Sequence, residues 1–452
     1  MKQFLSKNLT PPRIFILSFA VVIFAGATLL WLPFSASNRT ISFIDALFTS
    51  TSAVCVTGLS VLDLSKQLSI SGQVVTLFLF QIGGLGIISF SVLLFEIMGR
   101  QVSFRERDIV QSTFLASPSS DFGLILKWVF LLSFTIEFFG AVLLFIRFSF
   151  DFPLLKALYY AIYHSVSAFN NCGYSLFSNS LVDYQGDLIT NATIMVLIVL
   201  GGLGFVVQRE IILKLRGRIK RLSLHTKIVL ITTAILIVSG AVFFYVFESE
   251  NCLSGISTMD TILVSLFQSI TPRTCGFNTV DIGALTNATI LLMLVLMFIG
   301  ASPGSTGGGI KTTSFALSFI MIINRFKGRE DVVNVFNRSI PQEIITRTLS
   351  IIFASCISVF IITAVVLLAG EADHAPLQNR HLFIEYLFET VSAFGTVGLS
   401  MGVSSSLNDI QKLAIMIMMF AGRVGPLTLA FSLSFSKKGR ELVYAEETVM
   451  VG

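Results

Sequence analysis

The feature that most constrains this chain is a series of long apolar runs that recurs along its whole length. Eight runs reach the roughly 20 residues that a helix needs to cross a hydrocarbon core of about 30 Å. Within each successive pair of runs lies one shorter, half-apolar stretch. The long runs cover residues 13–34, 71–98, 124–148, 188–213, 226–248, 286–324, 344–369 and 408–435, and the short stretches cover 42–54, 155–169, 259–271 and 382–394.

The four short stretches cannot span a bilayer, so they are predicted to be re-entrant segments. The pattern therefore predicts an all-α polytopic membrane protein. It would contain four tandem repeats of helix, pore loop and helix around a pseudo-fourfold pore axis. The repeats would cover residues 1–108, 109–222, 223–338 and 339–452.

Composition supports the membrane assignment. Hydrophobic residues make up 54% of the chain and charged residues 13%, about half the charged share of a soluble domain. These values exclude a soluble enzyme, a disordered chain and a nucleic-acid-binding domain. The five cysteines form no C-x-x-C pair, so neither a disulfide framework nor a zinc site is expected.

The distribution of basic residues predicts the orientation. They concentrate in the loops after the second, fourth and sixth runs and in the C-terminal tail, and the positive-inside rule places such segments in the cytoplasm. Both termini are then cytoplasmic, and the short segments enter from outside. The richest loops carry Arg209, Lys214, Arg216, Arg218, Lys220, Arg221 and Lys227, and Arg325, Lys327, Arg329, Arg338 and Arg347.

Two glycine marks recur in fixed phase and indicate an internal repeat. The second mark, Gly83, Gly201, Gly300 and Gly422, is also explained by close helix packing in membranes, but the first is not. The first is the end of a tetrapeptide that closes each short segment: Cys55-Val56-Thr57-Gly58, Asn170-Asn171-Cys172-Gly173, Arg273-Thr274-Cys275-Gly276 and Gly395-Thr396-Val397-Gly398.

Extended tetrapeptides at membrane depth favour ion binding by backbone. Four such strands around one axis present rings of carbonyl oxygens that replace the water around a monovalent cation. Glycine adopts the backbone angles that point carbonyls inward, and the C-terminal ends of the short helices add negative potential. The tetrapeptides contain no Asp or Glu, which argues against a divalent cation and for K⁺.

These four loops, in this order and orientation, resemble the membrane subunit of the Trk/Ktr/HKT superfamily of K⁺ transporters over the whole chain. The bacterial Ktr type is most similar, because the first apolar run begins at residue 13 and leaves no room for the extra helix pair of the Trk type. The resemblance implies a homodimer with one pore per subunit, docked on a cytosolic octameric ring of RCK subunits. Nucleotide (ATP or ADP) would bind only to that partner.

The resemblance also implies a cation preference. The last residue of each tetrapeptide, the filter position, is glycine in all four copies here. In plant relatives, a serine at this position in the first copy accompanies Na⁺ transport. K⁺ is therefore the expected cargo, and Na⁺ stimulation is frequent in the Ktr type. The degree of Na⁺ coupling and the ligand of the cytosolic ring are left open by the sequence.

The second helices of the third and fourth repeats differ from those of the other two. The sixth run is broken, and the eighth run contains an arginine. Arg423 occupies a position that holds a small residue in the other three copies. It lies about 20 Å into the last run, at a helical rise of 1.5 Å per residue. An intramembrane charge at this depth usually faces a cavity, although pairing with an acid is the alternative. In the family, the matching arginine lies below the filter and opposes ion passage.

The sixth run is interrupted by a segment that cannot remain helical. Proline and five glycines within ten residues predict helix, loop and helix, with a gating loop at 300–312 that faces protein or water. The resemblance likewise implies an intramembrane loop beneath the filter. The predicted gate residues are Gly300, Ser302, Gly304, Ser305, Thr306, Gly307, Gly308, Gly309, Lys311 and Arg423.

Two other functions are compatible with an apolar chain. A secondary transporter of another small solute would show paired or inverted repeats, and four copies in one direction speak against it. A membrane enzyme would need neighbouring acids and histidines, but Glu96, Glu137 and Glu210 have no partner histidine in the pattern. Arg273 is expected to brace the filter by hydrogen bonds from its side chain to the carbonyl groups of the filter.

Overall fold

The computed structural model describes residues 11–37, 40–86, 122–328, 333–370 and 380–425. The second half of the 71–98 run, the basic loop that follows it and the C-terminal tail lie outside these residues. Within them the chain is helical apart from one antiparallel hairpin.

The elements follow one another in a regular order. The helices are α1 (Pro11–Trp31), α2 (Phe43–Cys55), α3 (Leu64–Gln67), α4 (Ile70–Leu85), α5 (Phe122–Phe148), α6 (Leu154–Phe169), α7 (Leu188–Leu203), α8 (Phe205–Leu215), α9 (Leu224–Glu248), α10 (Thr258–Ile270), α11 (Asn287–Phe298), α12 (Thr312–Phe326), α13 (Gln342–Gly370), α14 (Arg380–Gly395) and α15 (Asp409–Val424), and the hairpin strands are β1 (Val333–Val335) and β2 (Arg338–Ile340).

Polar caps start many of these helices. The side chains of Ser42, Ser223 and Ser257 each accept a hydrogen bond from the backbone N–H three residues further on, which satisfies a donor that the first turn leaves free. Asn408 and Gln411 form a reciprocal capping box at the start of α15. The caps therefore fix the residue at which each of these helices begins.

Several helices are long and apolar enough to cross a membrane. Among the described residues, Lys127–Phe148, Leu224–Glu248 and Gln342–Gly370 qualify by length and composition, and α7 with α8 would add a fourth if the pair counted as one span. Their outward faces are apolar, since Leu131, Val238 and Phe360 are each more than 60% exposed. This exposure is typical of a lipid-facing surface.

The helices pack in four groups that close into a ring. The groups are α1, α2 and α4; α5, α6 and α7; α9, α10 and α11; and α13, α14 and α15. In the first, second and fourth groups the short middle helix contacts both of its flanking helices, whereas in the third α10 contacts α9, and α9 contacts α11. The last helix of each group also contacts the middle helix of the next, through the pairs α4–α6, α7–α10, α11–α14 and α15–α2. Each group therefore contacts the next, and the fourth contacts the first.

The structure corrects one expectation about the fourth run. A continuous span was predicted for 188–213, with a broken inner helix only in the third copy, but α7 and α8 meet at Gly204 with a bend of 102°. Gly204 has a φ of +89°, which favours glycine, and a Cβ built there would lie 2.6 Å from the carbonyl oxygen of Pro303. Gly86 and Gly425 end α4 and α15 in the same way, with φ of +86° and +93°.

Candidate functional site

The four tetrapeptides share one backbone conformation. Their second residues, Val56, Asn171, Thr274 and Thr396, have φ of +57°, +59°, +80° and +49°, and their glycines, Gly58, Gly173, Gly276 and Gly398, have φ of +87°, +75°, +90° and +92°. Such angles are unusual for a non-glycine residue and are outliers for a β-branched one. Strain of this kind persists only where the surroundings enforce it and clusters at functional sites.

The four glycines close a ring with the carbonyl groups of neighbouring tetrapeptides. A Cβ built on Gly58 would lie 1.9 Å from the oxygen of Cys172, and one on Gly173 would lie 1.9 Å from that of Cys275. The same construction places Gly276 against the oxygen of Val397 at 2.2 Å and Gly398 against that of Thr57 at 2.3 Å. Each tetrapeptide thus contacts the next in chain order, and the fourth contacts the first.

Apolar side chains of the tetrapeptides are packed in the interior. Cys55, Val56, Cys172 and Val397 are fully buried in one hydrophobic cluster. The contacts that close the ring are made by backbone atoms. The cysteines contribute packing, as the sequence indicated.

In three copies, a hydroxyl group at or near the end of the short helix supports the segment that follows. Ser167 donates to the carbonyl oxygen of Tyr174 at 2.8 Å, and Thr271 donates to that of Phe277 at 2.5 Å. In the fourth copy, the hydroxyl of Ser392 accepts from the backbone N–H of Gly398 at 3.1 Å. These bonds fix the residue at or just after the glycine.

The second glycine mark is explained by close contact with the tetrapeptides. A Cβ on Gly83, Gly201 or Gly422 would lie within 2.1 Å of the carbonyl oxygen that immediately precedes the tetrapeptide of its own copy, from Val54, Phe169 and Phe394 respectively. Gly300 differs, because its contact is the oxygen of Gly308 in the inner loop at 2.0 Å. The third copy therefore replaces a helix contact by a loop contact.

Arg273 does not take the role that the sequence indicated for its side chain. Its guanidinium group is buried and donates to the hydroxyl of Thr233 on α9 at 3.4 Å. No hydrogen bond from it to a carbonyl group is found in the part of the chain that the structure describes, and its Nε has no partner there. It contributes its backbone to the third tetrapeptide and its side chain to packing behind it.

A polar cavity opens on one side of the ring. It has a volume of about 330 Å³ and is lined by the four glycines Gly58, Gly173, Gly276 and Gly398 and by several serines. Among the described residues that line it, Asp63 is the single acid and there is no lysine or arginine. Burial would raise the pKa of the Asp63 carboxyl, but hydrogen bonds from Ser65 and Ser178 outweigh burial and hold its pKa below the usual range. This cavity, the mouth of the ring, therefore contains an ionised carboxylate at neutral pH, which forms an ion pair at 3.4 Å with Lys66 outside the lining.

The inner loop, residues 300–312, lies against the other side of the ring. It connects α11, which ends at Phe298, with α12, which begins at Thr312. A Cβ on Gly307 would lie 2.1 Å from the hydroxyl oxygen of Thr274, and the backbone N–H of Gly308 donates to the hydroxyl of Thr396 at 3.0 Å. The loop thus contacts the third and fourth tetrapeptides directly.

The same loop is bonded to the glycine-rich ends of other helices. Ser302 and Thr306 donate from their backbone N–H groups to the carbonyl oxygens of Gly202 and Gly201, and Gly309 donates to that of Gly422. Gly304, which has a φ of +66°, accepts from the backbone of Phe205.

Contacts within the loop complete its polar support. Ser305 donates to the Ser302 carbonyl at 2.6 Å, and the Lys311 ammonium donates to the Gly307 carbonyl at 2.8 Å. The predicted gate residues are therefore gathered in one place.

Arg423 joins the loop to two helix ends. One guanidinium nitrogen donates to the carbonyl oxygen of Thr306, and another donates to those of Gly83 and Gly84 at the end of α4. No carboxylate of the described residues forms an ion pair with it. The arginine is therefore held by backbone carbonyl groups, and one of them belongs to the inner loop.

The hydrogen bonds of the buried Glu137 carboxyl group, beside the second tetrapeptide, were not predicted from the sequence. Both oxygens of Glu137 accept from the amide of Gln81 at 3.1 Å, and one also accepts from Asn170 at 3.1 Å. Asn170 also donates to Gln81 at 2.6 Å. The absence of a histidine partner in the sequence did not indicate this network. The signal that the sequence does contain is a lone acid within an apolar run.

A third repeat mark was also missed. Glycines in the first helix of three copies face a serine in the short helix, in the pairs Gly26–Ser50, Gly140–Ser165 and Gly240–Ser269, where a Cβ would come within 2.6 Å of the hydroxyl oxygen. Each serine donates to a carbonyl three residues before its glycine, on Ile23, Glu137 and Ile237. Small residues of this type allow close helix approach.

Known proteins resemble this chain along almost its full length. The family described as "TrkH: Cation transport protein" matches residues 10–439. The "Ktr system potassium uptake protein B" of Bacillus subtilis is 39% identical over 98% of this chain and 97% of its own length. The "Potassium/sodium uptake protein NtpJ" of Enterococcus hirae is 36% identical over 100% of this chain and 99% of its own.

A solved structure supports the same fold. The potassium transporter TrkH from Vibrio parahaemolyticus superposes with a TM-score of 0.73, covering 93% of this chain and 84% of its own. At 20% sequence identity, this likeness concerns the arrangement of helices.

Proposed function

This chain belongs to the TrkH family of cation transport proteins, a family of membrane transporters and not of enzymes, and we propose that it takes up K⁺. The observation that carries the proposal is the closed ring of four tetrapeptides with a shared backbone conformation. Relatives named for potassium uptake, similar over nearly the whole chain, favour the same ion.

The ring acts as the selectivity filter. Its ligands are the backbone carbonyl groups of residues 55–58, 170–173, 273–276 and 395–398, four strands arranged around a pseudo-fourfold axis formed by four repeats of helix, pore loop and helix. Carbonyl oxygens replace the hydration shell of a monovalent cation, and buried side chains keep the lining neutral. The mouth with Asp63 faces outside and concentrates cations.

Sodium is the alternative or additional cargo. One relative is named for potassium and sodium uptake, and this is the observation that favours it. Uptake of radioactive rubidium, a K⁺ surrogate, into proteoliposomes tests the function, with unlabelled K⁺ and Na⁺ as competitors. Competition by K⁺ at much lower concentration than Na⁺ supports the proposal; no protein-dependent uptake would overturn it.

The inner loop acts as the gate. It lies against the ring on the side away from the mouth and is hydrogen-bonded to the second, third and fourth copies, and through Arg423 to the first. In this arrangement the loop crosses the permeation path and the arginine holds it there. Opening requires these bonds to exchange with water or with other protein groups.

Arg423→Gln is expected to raise K⁺ flux in the absence of any partner. A glutamine cannot reach the three carbonyl groups that the guanidinium contacts, and a hydrogen bond to a charged group contributes about 1.5–3 kcal/mol. Flux per folded molecule should rise about tenfold or more, measured by rubidium uptake. Lys412→Gln is the control, because this cation lies on the same helix and contacts Asp45 instead. Unchanged flux in Arg423→Gln would show that the arginine does not hold the gate.

The protein works as a homodimer docked on a cytosolic octameric ring of RCK subunits, which alone bind nucleotide. Support comes from the name of the Bacillus relative, which designates one component of a system, and from the basic residues on one end of the bundle. Both termini are on that cytoplasmic side of the plasma membrane.

Reversing three charges should weaken docking. Arg216, Arg218 and Lys220 are exposed in the loop between α8 and α9, where they are available to an acidic surface. Their replacement by glutamate should reduce co-purification with the ring, most strongly at low salt, because exposed charges are screened as ionic strength rises. Membrane insertion should be retained. Equal co-purification of variant and parent across a salt series would remove these residues from the docking surface.

A further inference from the structure

A basic cavity lies apart from the proposed ion path. It has a volume of about 650 Å³ and is formed by α8, the following loop, the start of α9 and the β1–β2 hairpin. Four cations line it, Arg209, Arg221, Lys227 and Arg338, together with one acid, Glu210. Arg209 and Lys227 are half-buried in its wall.

The charges of this cavity are not balanced by the described part of the chain. One oxygen of Glu210 accepts from both the backbone N–H and the hydroxyl of Ser223 at 3.0 Å. None of the four cations forms an ion pair with a described residue, and Lys227 lies 5.7 Å from the ring centre of Phe336. Arg221 and Arg338 are exposed, and an excess of positive charge that converges on one cavity favours a multiply bonded anion.

The cavity lies at the ends of two helices that could cross a bilayer. It surrounds the first residues of α9 and lies beside the strand that leads into α13, and both helices are long and apolar enough to cross a bilayer. Because α8 turns by 102° from α7, it runs across the end of the bundle. Leu215 at its end is 83% exposed, and Ile231 and Ile235 on α9 are 45% and 60% exposed. An acyl chain can therefore extend along the bundle from an anchored headgroup.

We propose that this cavity binds the headgroup of an anionic phospholipid, with its phosphate held by Arg209, Arg221 and Lys227. The positive-inside rule explains how many basic residues lie at this end, but it does not require four of them to converge on one cavity. Basic pockets between membrane helices are suited to anionic headgroups. The proposal depends on membrane placement and not on the transported ion.

The test compares retention of lipid by purified protein. Parent and variants are extracted from membranes doped with equal amounts of phosphatidylglycerol and phosphatidylcholine, and bound lipid is counted by native mass spectrometry. Arg209→Gln with Arg221→Gln should lower phosphatidylglycerol retention about tenfold or more. Arg218→Gln with Lys220→Gln removes the same charge from exposed positions outside the cavity lining and should retain the lipid.

Further arms separate the lipid from other anions. Phosphatidylglycerol should raise the melting temperature of the parent in detergent, whereas inorganic phosphate at the same concentration should not. Equal retention in both double variants, or equal protection by inorganic phosphate, would overturn the proposal. So would a cavity variant that keeps its lipid but loses the cytosolic partner, since the surface would then be a protein-docking site. If the double variant folds poorly, the lipid retention of Arg221→Gln alone is compared with that of the parent.

Discussion

Gly58→Ser is expected to abolish most of the preference for K⁺ over Na⁺. A Cβ at this position would lie 1.9 Å from the carbonyl oxygen of Cys172, and the φ of +87° is one that side chains rarely adopt. The second loop must therefore move or the first strand must turn, and either change removes a carbonyl group from the proposed ring. A loss of only about 1.4 kcal/mol in differential binding lowers selectivity about tenfold.

The measurement is competition of K⁺ and Na⁺ against rubidium uptake, normalised to folded protein. Gly255→Ser separates the contact from backbone strain, because Gly255 has a φ of +81° but no atom within 4 Å of a built Cβ. Ser60→Ala, in which the lost hydroxyl contacts only the nearby Leu62, should also leave selectivity unchanged. If Gly58→Ser retains the competition ratio of the parent, the first tetrapeptide does not line the filter.

The short helices were the most predictable elements of the fold. Their sequence bounds of 42–54, 155–169, 259–271 and 382–394 differ from α2, α6, α10 and α14 by no more than two residues at either end. The reason is physical, since each is too short to span and is followed by a tetrapeptide ending in glycine, and α2 and α10 also begin at a serine cap. Length and polarity alone are sufficient to predict such segments.

The conformation of the tetrapeptides was only half predictable. Glycine at the fourth position is a recognisable signal for positive φ. The second position carries Val56, Asn171, Thr274 and Thr396, and three of these are β-branched residues whose ordinary preference is extended backbone. Their left-handed conformation arises from tertiary contacts with neighbouring loops, which no local pattern contains.

The break at Gly204 was missed for a different reason. Hydropathy stays high through 188–213, and one glycine in an apolar run is usually tolerated within a helix. α7 ends here because the inner loop donates hydrogen bonds to the carbonyl groups of Gly201 and Gly202. A continuing helix would have occupied these carbonyl groups. The signal was present in the sequence, because Gly86, Gly204 and Gly425 follow the second glycine mark at one fixed spacing.

The inner loop is held by more contacts than its composition indicated. A segment of Gly, Ser and Thr predicts few apolar contacts, yet Ala301, Ser302 and Thr306 are almost completely buried. Its support comes from backbone hydrogen bonds to helix ends and from Arg423, so polar bonding replaces packing. A gate of this type can be released by exchange of hydrogen bonds, whose individual net contributions are about 0.5–1.5 kcal/mol.

Deletion of Ser305 to Gly308 is expected to raise K⁺ flux in the absence of the partner by about tenfold or more, because it removes the bonds that hold the loop closed. Thr306 bonds to the carbonyl oxygens of Phe169 and Gly201 and accepts from Arg423, and Gly308 bonds to Thr396. Without them the shortened connection cannot reach across the ring. Control by the cytosolic partner should weaken in parallel, since no closed state remains for it to release.

The alternative is that the loop only fills space beneath the ring, in which case deletion lowers folding yield without raising flux per folded molecule. Rubidium uptake per folded molecule, with and without the proposed partner, distinguishes the two. Gly307→Ala provides a variant of full length, since its methyl group would lie 2.1 Å from the hydroxyl of Thr274 and push the loop away from the ring. A gate predicts that both variants conduct more than the parent when the partner is absent. If both fold and neither gains flux, the loop does not close the path, and the hydrogen bonds of Arg423 to Thr306, Gly83 and Gly84 serve to join helices.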